Sequence, residues 1–273
     1  MPKLLQLSRR KFIHGASCAC GTSLLLSCAE VPMSERKQLN IVSDDFLYSK
    51  TFPAYENFKS QSKLITGTKE YNEIVDIGFN IRDAINAYYQ VNHKENPTTN
   101  FQWEFILVDD DQTKNAWCMP GGKIAFYTGI LPIAKNKDGI ASIMGHEVAH
   151  AVARHSAERA STAILADVGT MALEQLILGQ RLPKAAGYIR QFGLNLPFNR
   201  SQESEADYLG LIFSSLAGYN VNESYKVWER MVEDSGGSGP SEFFSTHPSP
   251  KNRIKKLKEW IPLVNVQYPA IST

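Results

Sequence analysis

The stretch at residues 138–160 constrains the fold more than any other part of this 273-residue chain. Apolar residues fill nearly every turn of a predicted helix there, with Asp138 as its expected N-cap, so we expect the helix to be buried. The same stretch contains His146-Glu147-Val148-Ala149-His150. Burying two imidazoles and a carboxylate is costly unless they have partners, and a metal ion would be such a partner.

The spacing of the two histidines suits one zinc ion. Positions four apart in a helix differ by about 40° around the axis and about 6 Å along it, so His146 and His150 face the same side. Both nitrogens can then bind Zn²⁺ at about 2.0–2.1 Å. Glu147 lies at the edge of that face, where it can take a proton from an activated water and pass it to a leaving amine. The alternative is a chance pentapeptide on a surface helix, which the apolar neighbours argue against.

A catalytic zinc site also needs a third protein ligand, and residues 199–207 offer candidates on another predicted helix. Glu203 and Asp207 are four residues apart and share a face. We expect Glu203 to bind the metal and Asp207 to contact the far nitrogen of a ligating histidine, which fixes its tautomer. Glu205 is the alternative ligand, but it faces elsewhere and is expected to be solvated or paired with a basic residue.

The pattern along the rest of the chain indicates several helices around a small sheet. Helices are predicted near 67–90, 161–181, 200–216, 222–234 and 250–260, and strands at 101–108 and 123–128. The expected fold class is α+β: a mostly helical zincin-type metalloprotease domain with a small β-sheet flanking the helix that carries His146. We place this domain at 65–262 and a C-terminal tail at 263–273.

The N-terminus reads as an export signal. Arg9-Arg10 followed by Phe12 is similar to a twin-arginine signal, and Leu25-Leu26-Ser27-Cys28 is similar to a lipobox. We expect residues 1–27 to be removed, Cys28 to be lipidated, and residues 28–64 to form a tether and a packing segment. The alternative is an uncleaved anchor, or an ordinary signal with an incidental cysteine. Cys118 is then the one free thiol, so no intrachain disulfide is expected.

Together the motifs resemble the CAAX-prenyl-protease-like family of gluzincin metallopeptidases, in particular its soluble bacterial periplasmic branch, and a related mitochondrial quality-control protease. The resemblance covers roughly residues 65–262. It rests on the histidine pair, on Glu203 with Asp207, on Thr246-His247-Pro248 followed by Arg253, and on the segment at 115–124.

The resemblance implies a zinc endopeptidase with one Zn²⁺ per chain on His146, His150 and Glu203, and with Glu147 as the general base. It also implies that an extended substrate pairs with the strand at 124–128. His247 is implicated in transition-state stabilisation or in gating, with Arg253 as its candidate partner. The alternatives are a helix-initiating turn at His247 and a buried structural ion pair at Arg253.

The expected function is cleavage of misfolded or unassembled cell-envelope proteins by an enzyme lipid-anchored at Cys28 in the bacterial periplasm. Ala29 after the lipidated cysteine points to the outer membrane. The alternative is a gated, weakly proteolytic chaperone-like or binding lipoprotein on the same fold. A zinc hydrolase with a non-protein substrate is disfavoured because its usual ligand spacings do not occur. A net charge of +1 without a basic stripe gives no reason to expect nucleic acid as a partner.

Overall fold

The computed structural model of the protein describes residues 28–165, 198–235, 247 and 250–271. The predicted export signal and most of the helix predicted at 161–181 lie outside these residues. The strands are β1 (Cys28–Glu30), β2 (Lys37–Leu39), β3 (Leu64–Ile65), β4 (Glu104–Val108), β5 (Ala116–Met119) and β6 (Lys123–Tyr127). The helices are α1 (Asp44–Gln61), α2 (Lys69–Val91), α3 (Leu131–Ala134), α4 (Lys137–Val152), α5 (Arg200–Leu216), α6 (Glu223–Asp234) and α7 (Pro250–Gln267). Residues 155–165 are also helical. The α+β fold class is confirmed.

A four-stranded sheet forms one layer, with its strands in the order β3-β4-β6-β5. β4 and β6 run parallel, with Phe105 opposite Ile124, while β3 and β5 run antiparallel to their neighbours. The parallel pair is buried because both faces of the sheet are covered. Tyr55 of α1 packs on one face, in a cluster with Ile106 and Ala125, and the other face joins α2 and α4 in the main core.

The order of the strands corrects the expected place of substrate pairing. The sequence suggested the strand at 124–128, but β6 is hydrogen-bonded to β4 on one side and to β5 on the other. A strand with both edges occupied cannot accept a further strand. Among the described residues the edge strands of this sheet are β3 and β5, and β5 is the one that neighbours β6 and packs against α4.

α4 runs through the centre of the core. All of its residues from Gly139 to Val152 are buried except Ser142. It crosses α5 at a pair of glycines: a Cβ atom added to Gly210 would lie 2.8 Å from the backbone nitrogen of His146. Only a glycine permits this separation, and the close approach places the two helices side by side near their functional residues.

Two helix ends differ from those predicted. Asn136, not Asp138, is the N-cap of α4, because the Asn136 side chain accepts a hydrogen bond from the Gly139 N–H. Asp138 lies instead in the first turn, where a carboxylate favours the helix dipole. α7 continues beyond residue 260 to Gln267. Among the described residues no helix is both long and apolar enough to span a membrane.

The helix predicted to continue to residue 160 breaks after Val152. Arg154 adopts a left-handed conformation with φ of 55°, and helical structure resumes at residue 155. The Arg154 side chain donates hydrogen bonds to Asp44 at 2.9 Å and to the carbonyl of Val42 at 3.1 Å. These contacts with the N-terminal part of the chain offset the strain of the turn.

Residues 28–64 pack onto the domain. β1 and β2 form a hairpin in which Cys28 lies opposite Leu39, and Val31 in the connecting loop is 1% exposed within the main core. Lipidation of Cys28, at the start of β1, stays a prediction.

Candidate metal centre

α4 contributes three buried polar side chains to the centre of the molecule. His146 is 5% exposed, Glu147 2% and His150 3%. The two imidazoles meet edge to face, with their ring centroids 4.7 Å apart and their Nε2 atoms 3.1 Å apart. The spacing of four residues therefore brings one nitrogen of each histidine to a common point, as the sequence predicts.

α5 brings a carboxylate to the same point. The side chain of Asn199 caps this helix and pairs reciprocally with Gln202, which starts the helix one turn before the site. Glu203, 1% exposed, lies in that first turn. Its Oε1 atom is 3.4 Å from Nε2 of His150, and its Oε2 atom is 3.6 Å from Nε2 of His146.

His247 completes the cluster from a third part of the chain. Its Nδ1 atom lies 3.3 Å from Nε2 of His146 and 3.0 Å from Oε1 of Glu203. The side chain is 2% exposed. The predicted neighbours Thr246 and Pro248 lie outside the described residues.

The four groups fit a zinc ion by both distance and chemistry. One ligand atom each from His146, His150, Glu203 and His247 lies within 4.8 Å of the other three. Zn²⁺ bound tetrahedrally at about 2.0–2.1 Å would hold its ligands about 3.3 Å apart, close to the nitrogen–nitrogen and nitrogen–oxygen separations found here. Imidazole and carboxylate are the ligands of catalytic zinc. A catalytic centre uses three of them and leaves one position open, and His247 stands at that fourth position.

Asp207 and Arg253 support the cluster from behind. Oδ1 of Asp207 is 3.1 Å from Nδ1 of His146, on the side of the ring away from the cluster. Arg253 donates to both oxygens of Asp207 at 2.6 Å and pairs with Oε2 of Glu203 at 2.5 Å. Its guanidinium also lies 3.6 Å from the ring centroid of Trp228. One cation thus holds two buried carboxylates.

The surroundings of His146, His150 and Glu203 favour the protonation states that bind a metal. Burial, followed by the neighbouring histidines, lowers the pKa of His150 well below its usual range. Burial also lowers the pKa of His146. For Glu203 burial alone would raise the pKa, but the positive charges of His247 and Arg253 outweigh it and leave the pKa lowered. Neutral imidazoles and an ionised carboxylate are the forms that bind zinc.

Glu147 has a different environment. Burial, with a smaller contribution from Glu203, raises its pKa to about 7, although His247 opposes the rise. The backbone of Cys118 in β5, the strand that packs against α4, also opposes the rise of this pKa. Oε1 of Glu147 has no hydrogen-bond partner among the described residues, and Nε2 of His247 lies 3.5 Å from it.

Three neighbours of the centre were not recognised from the sequence. His155 lies against His150 with their Nδ1 atoms 2.8 Å apart. Glu205 pairs with the basic residue Arg36, which is one of the two alternatives expected for it. It is not solvated, however, because it is only 7% exposed, and it also contacts His155. Phe198 stacks on the ring of His150 with centroids 3.7 Å apart. The sequence signal for these neighbours was a third histidine in the same stretch, five residues after His150.

Comparison with known proteins gives matches over most of the chain. The model of Peptidase family M48 matches residues 81–261. The mitochondrial metalloendopeptidase OMA1 of Schizosaccharomyces pombe is 36% identical over 262 residues, which are 95% of this chain and 74% of that protein. The Saccharomyces cerevisiae protein of the same name is 30% identical over 97% of this chain and 78% of its own length. The beta-barrel assembly-enhancing protease of Escherichia coli is 27% identical over 60% of this chain and 35% of its own length.

These matches correct the expected location. The sequence suggested a lipid-anchored protein of the bacterial periplasm, at the outer membrane, and this is wrong. Relatives that align along nearly the whole chain carry mitochondrial names, whereas the bacterial protease aligns over a shorter stretch at lower identity. The family resemblance is confirmed, but its bacterial periplasmic branch is not.

Proposed function

The chain belongs to peptidase family M48 and is a zinc metalloendopeptidase, and from this premise we propose how its residues divide the work. His146, His150 and Glu203 bind the zinc, and Glu147 is the general base. The substrates are unfolded or unassembled proteins, presented as extended chains. The observation that carries the proposal is the convergence of three buried ligand atoms from α4 and α5 beside the carboxylate of Glu147.

Zinc at this position supplies Lewis-acid chemistry, lowering the pKa of a water to about 7 and polarising a carbonyl group. The residues of the chain supply the proton transfers. Oε1 of Glu147 is free to accept a proton, since it makes no hydrogen bond within the described part of the chain. The same carboxyl group can return that proton to the leaving amine. Its burial keeps bulk water from competing for the proton.

Asp207 and Arg253 hold the ligands in place. Asp207 accepts the Nδ1 proton of His146, which leaves Nε2 of that ring free to bind the metal. Arg253 fixes Asp207 and Glu203 at once. Because its guanidinium is occupied by these two carboxylates, we assign Arg253 to positioning rather than to direct contact with substrate.

β5 is the proposed substrate-binding edge. This strand packs against α4, the helix that carries Glu147, and its side away from β6 has no strand partner among the described residues. A substrate that adds to this edge binds through main-chain hydrogen bonds, which give affinity with limited dependence on sequence. Such binding requires an extended chain and therefore favours unfolded or unassembled proteins over folded ones.

A gated, weakly proteolytic protein is the second candidate. Nδ1 of His247 lies at the fourth corner of the ligand set, 3.3 Å from His146 and 3.0 Å from Glu203. A histidine that binds zinc there excludes water and substrate, so cleavage would wait until His247 moves away.

Glu147→Gln separates chemistry from metal binding. We expect this variant to bind one zinc per chain and to degrade unfolded casein at least about a hundredfold more slowly than the wild type. Glu95→Gln, at an exposed position, is the matched control and should retain full activity. Glu203→Gln should lose both zinc and activity. Equal casein degradation by wild type and Glu147→Gln contradicts the assignment of the base, and wild-type protein without zinc contradicts the metal site.

His247→Ala decides between the two candidates. If His247 blocks the fourth position, the variant should degrade casein faster than the wild type while keeping its zinc. If His247 instead stabilises the transition state, degradation should slow by about 10²–10³-fold with zinc retained. A faster variant supports gating, and a slower one supports constitutive proteolysis.

A further inference from the structure

His150 makes a contact on the side of its ring that faces away from the cluster. Its Nε2 atom faces His146 and Glu203, at 3.1 and 3.4 Å. Its Nδ1 atom lies 2.8 Å from Nδ1 of His155. His155 is fully buried, so water does not compete for this contact.

His155 in turn contacts a buried carboxylate. Its Nε2 atom lies 2.8 Å from Oε2 of Glu205. Glu205 also accepts hydrogen bonds from Nε of Arg36, at 2.8 Å, and from the hydroxyl of Ser34. Both of these donors belong to the loop between β1 and β2. A chain of contacts therefore runs from the N-terminal hairpin to a metal-binding histidine.

Zinc on Nε2 of His150 would fix the direction of both hydrogen bonds in this series, from His150 to His155 and from His155 to Glu205. If His150 binds zinc through Nε2, its proton is on Nδ1 and is donated to Nδ1 of His155. His155 then accepts at Nδ1, carries its own proton on Nε2 and donates it to Glu205. Each group in the series has one consistent role, and the carboxylate at its end is held by Arg36.

We propose that His155, oriented by Glu205 and by Arg36 of the N-terminal hairpin, is a positioning residue that fixes the ring and the tautomer of His150. This rests on the proposed zinc site. In the same centre Asp207 contacts His146 directly, at 3.1 Å. For His150 the corresponding carboxylate is that of Glu205, which acts through the imidazole of His155.

The break after α4 makes this arrangement possible. A continuous helix would turn residue 155 away from residue 150, since five positions correspond to about 140° around the axis. The left-handed Arg154 redirects the chain and brings His155 back onto His150. The hairpin and the turn thus serve the metal centre although neither contains a ligand.

His155→Phe tests the proposal, because it keeps a ring at this position and removes both hydrogen bonds. We expect zinc affinity, measured by competition with a chelator, to fall about 10–100-fold. The visible spectrum of the Co²⁺-substituted protein should change as well, because His150 is free to rotate. Glu205→Gln, which keeps the size of the side chain and removes its charge, should show a smaller loss of affinity in the same direction.

Ser161→Ala is the matched control. The Ser161 hydroxyl accepts hydrogen bonds from the backbone of Ile41 and Val42, so its loss loosens the N-terminal segment without touching His155 or Glu205. The variant should lower the urea midpoint of the metal-free protein and leave zinc affinity and the Co²⁺ spectrum unchanged. The proposal is overturned if the His155 and Glu205 variants bind zinc as tightly as the wild type. It is equally overturned if Ser161→Ala weakens zinc binding as much as the His155 and Glu205 variants do.

A different result marks failure of the zinc site itself. His150→Ala removes a proposed ligand and should weaken zinc binding far more than His155→Phe. If the wild type and His150→Ala bind zinc equally, the proposed ligand set is wrong, whatever the His155 variant does.

Discussion

Arg253 shows how one side chain can hold the centre together. It is 3% exposed, and its guanidinium is divided between Asp207 and Glu203. We expect Arg253→Met to destabilise the metal-free protein by about 3–5 kcal/mol, because it leaves two buried carboxylates without their cation. Urea unfolding of the metal-free variant measures this loss.

Bound zinc should reduce the cost of losing Arg253, since the metal replaces part of the missing positive charge beside Glu203. Arg82→Met removes an arginine that pairs with Asp83 near the surface and is the control, with an expected effect below about 1 kcal/mol. If Arg253→Met is as stable as Arg82→Met, the pairing of the two carboxylates is not what Arg253 contributes.

Glu104 links the sheet to α1, and its contribution to folding stability should depend on pH although it lies far from the proposed metal centre. Its carboxylate contacts Lys59 at 2.8 Å and the buried Lys123 at 3.0 Å. Burial raises the pKa of Glu104, but the two lysines outweigh it and leave the pKa below its ordinary value of 4.5. The stabilisation of the folded protein by the ionised Glu104 is therefore complete above about pH 4.5. It is lost as the pH falls through the pKa that Glu104 has in the folded state.

Glu104→Gln should accordingly cost about 1–2 kcal/mol at neutral pH and progressively less as the medium becomes more acidic than pH 4.5. The measurement is the difference in the free energy of unfolding between wild type and variant across that range. A difference that stays constant at all pH values would show that the charge of Glu104 does not matter. Glu56→Gln, at an exposed position on α1, serves as the control.

At the scale of helices, the crossing of α4 and α5 sets the separation of the proposed metal ligands. A Cβ atom on Gly210 would lie 2.8 Å from the His146 nitrogen and 3.0 Å from the backbone of Gly145, and backbone atoms cannot move aside cheaply. Gly210→Ala should push the helices apart and so separate Glu203 from the two histidines. We expect a stability loss of about 1–3 kcal/mol together with weaker zinc binding.

Gly78→Ala provides the comparison for this variant. A Cβ atom there would meet the ring of Phe105 at 2.2 Å, on the interface of α2 with β4. It should reduce stability by a similar amount and leave zinc affinity unchanged. If both variants weaken zinc binding equally, zinc affinity depends on general loosening of the core and not on the separation of α4 and α5.

Elements that depend on local sequence were predicted well, and those that depend on distant contacts were not. The positions of His146 and His150 follow from the helical repeat alone. The break at Arg154 depends on hydrogen bonds to Asp44 and Val42, more than a hundred residues earlier, which no local pattern reveals. For the same reason the sequence could not show that β6 lies inside the sheet and β5 at its edge.

At the scale of the whole molecule, the proposed zinc site joins parts of the chain that are far apart in sequence. α4 and α5 contribute the proposed ligands, α7 contributes Arg253, and the N-terminal hairpin reaches the site through Glu205. The apolar core around these elements is extensive. The metal-free protein should therefore stay folded, while zinc adds stability by binding only the folded state.

Removal of zinc by a chelator should lower the melting temperature without abolishing cooperative unfolding. With free zinc at about 100 times its dissociation constant, binding contributes about 2.7 kcal/mol, which corresponds to roughly 5–10 °C for a chain of this size. His150→Ala should melt at the same temperature with and without chelator, whereas Glu95→Gln should shift as the wild type does. A metal-free wild type that lacks a cooperative transition would contradict this view, because it would mean that the metal, and not the apolar core, holds the helices together.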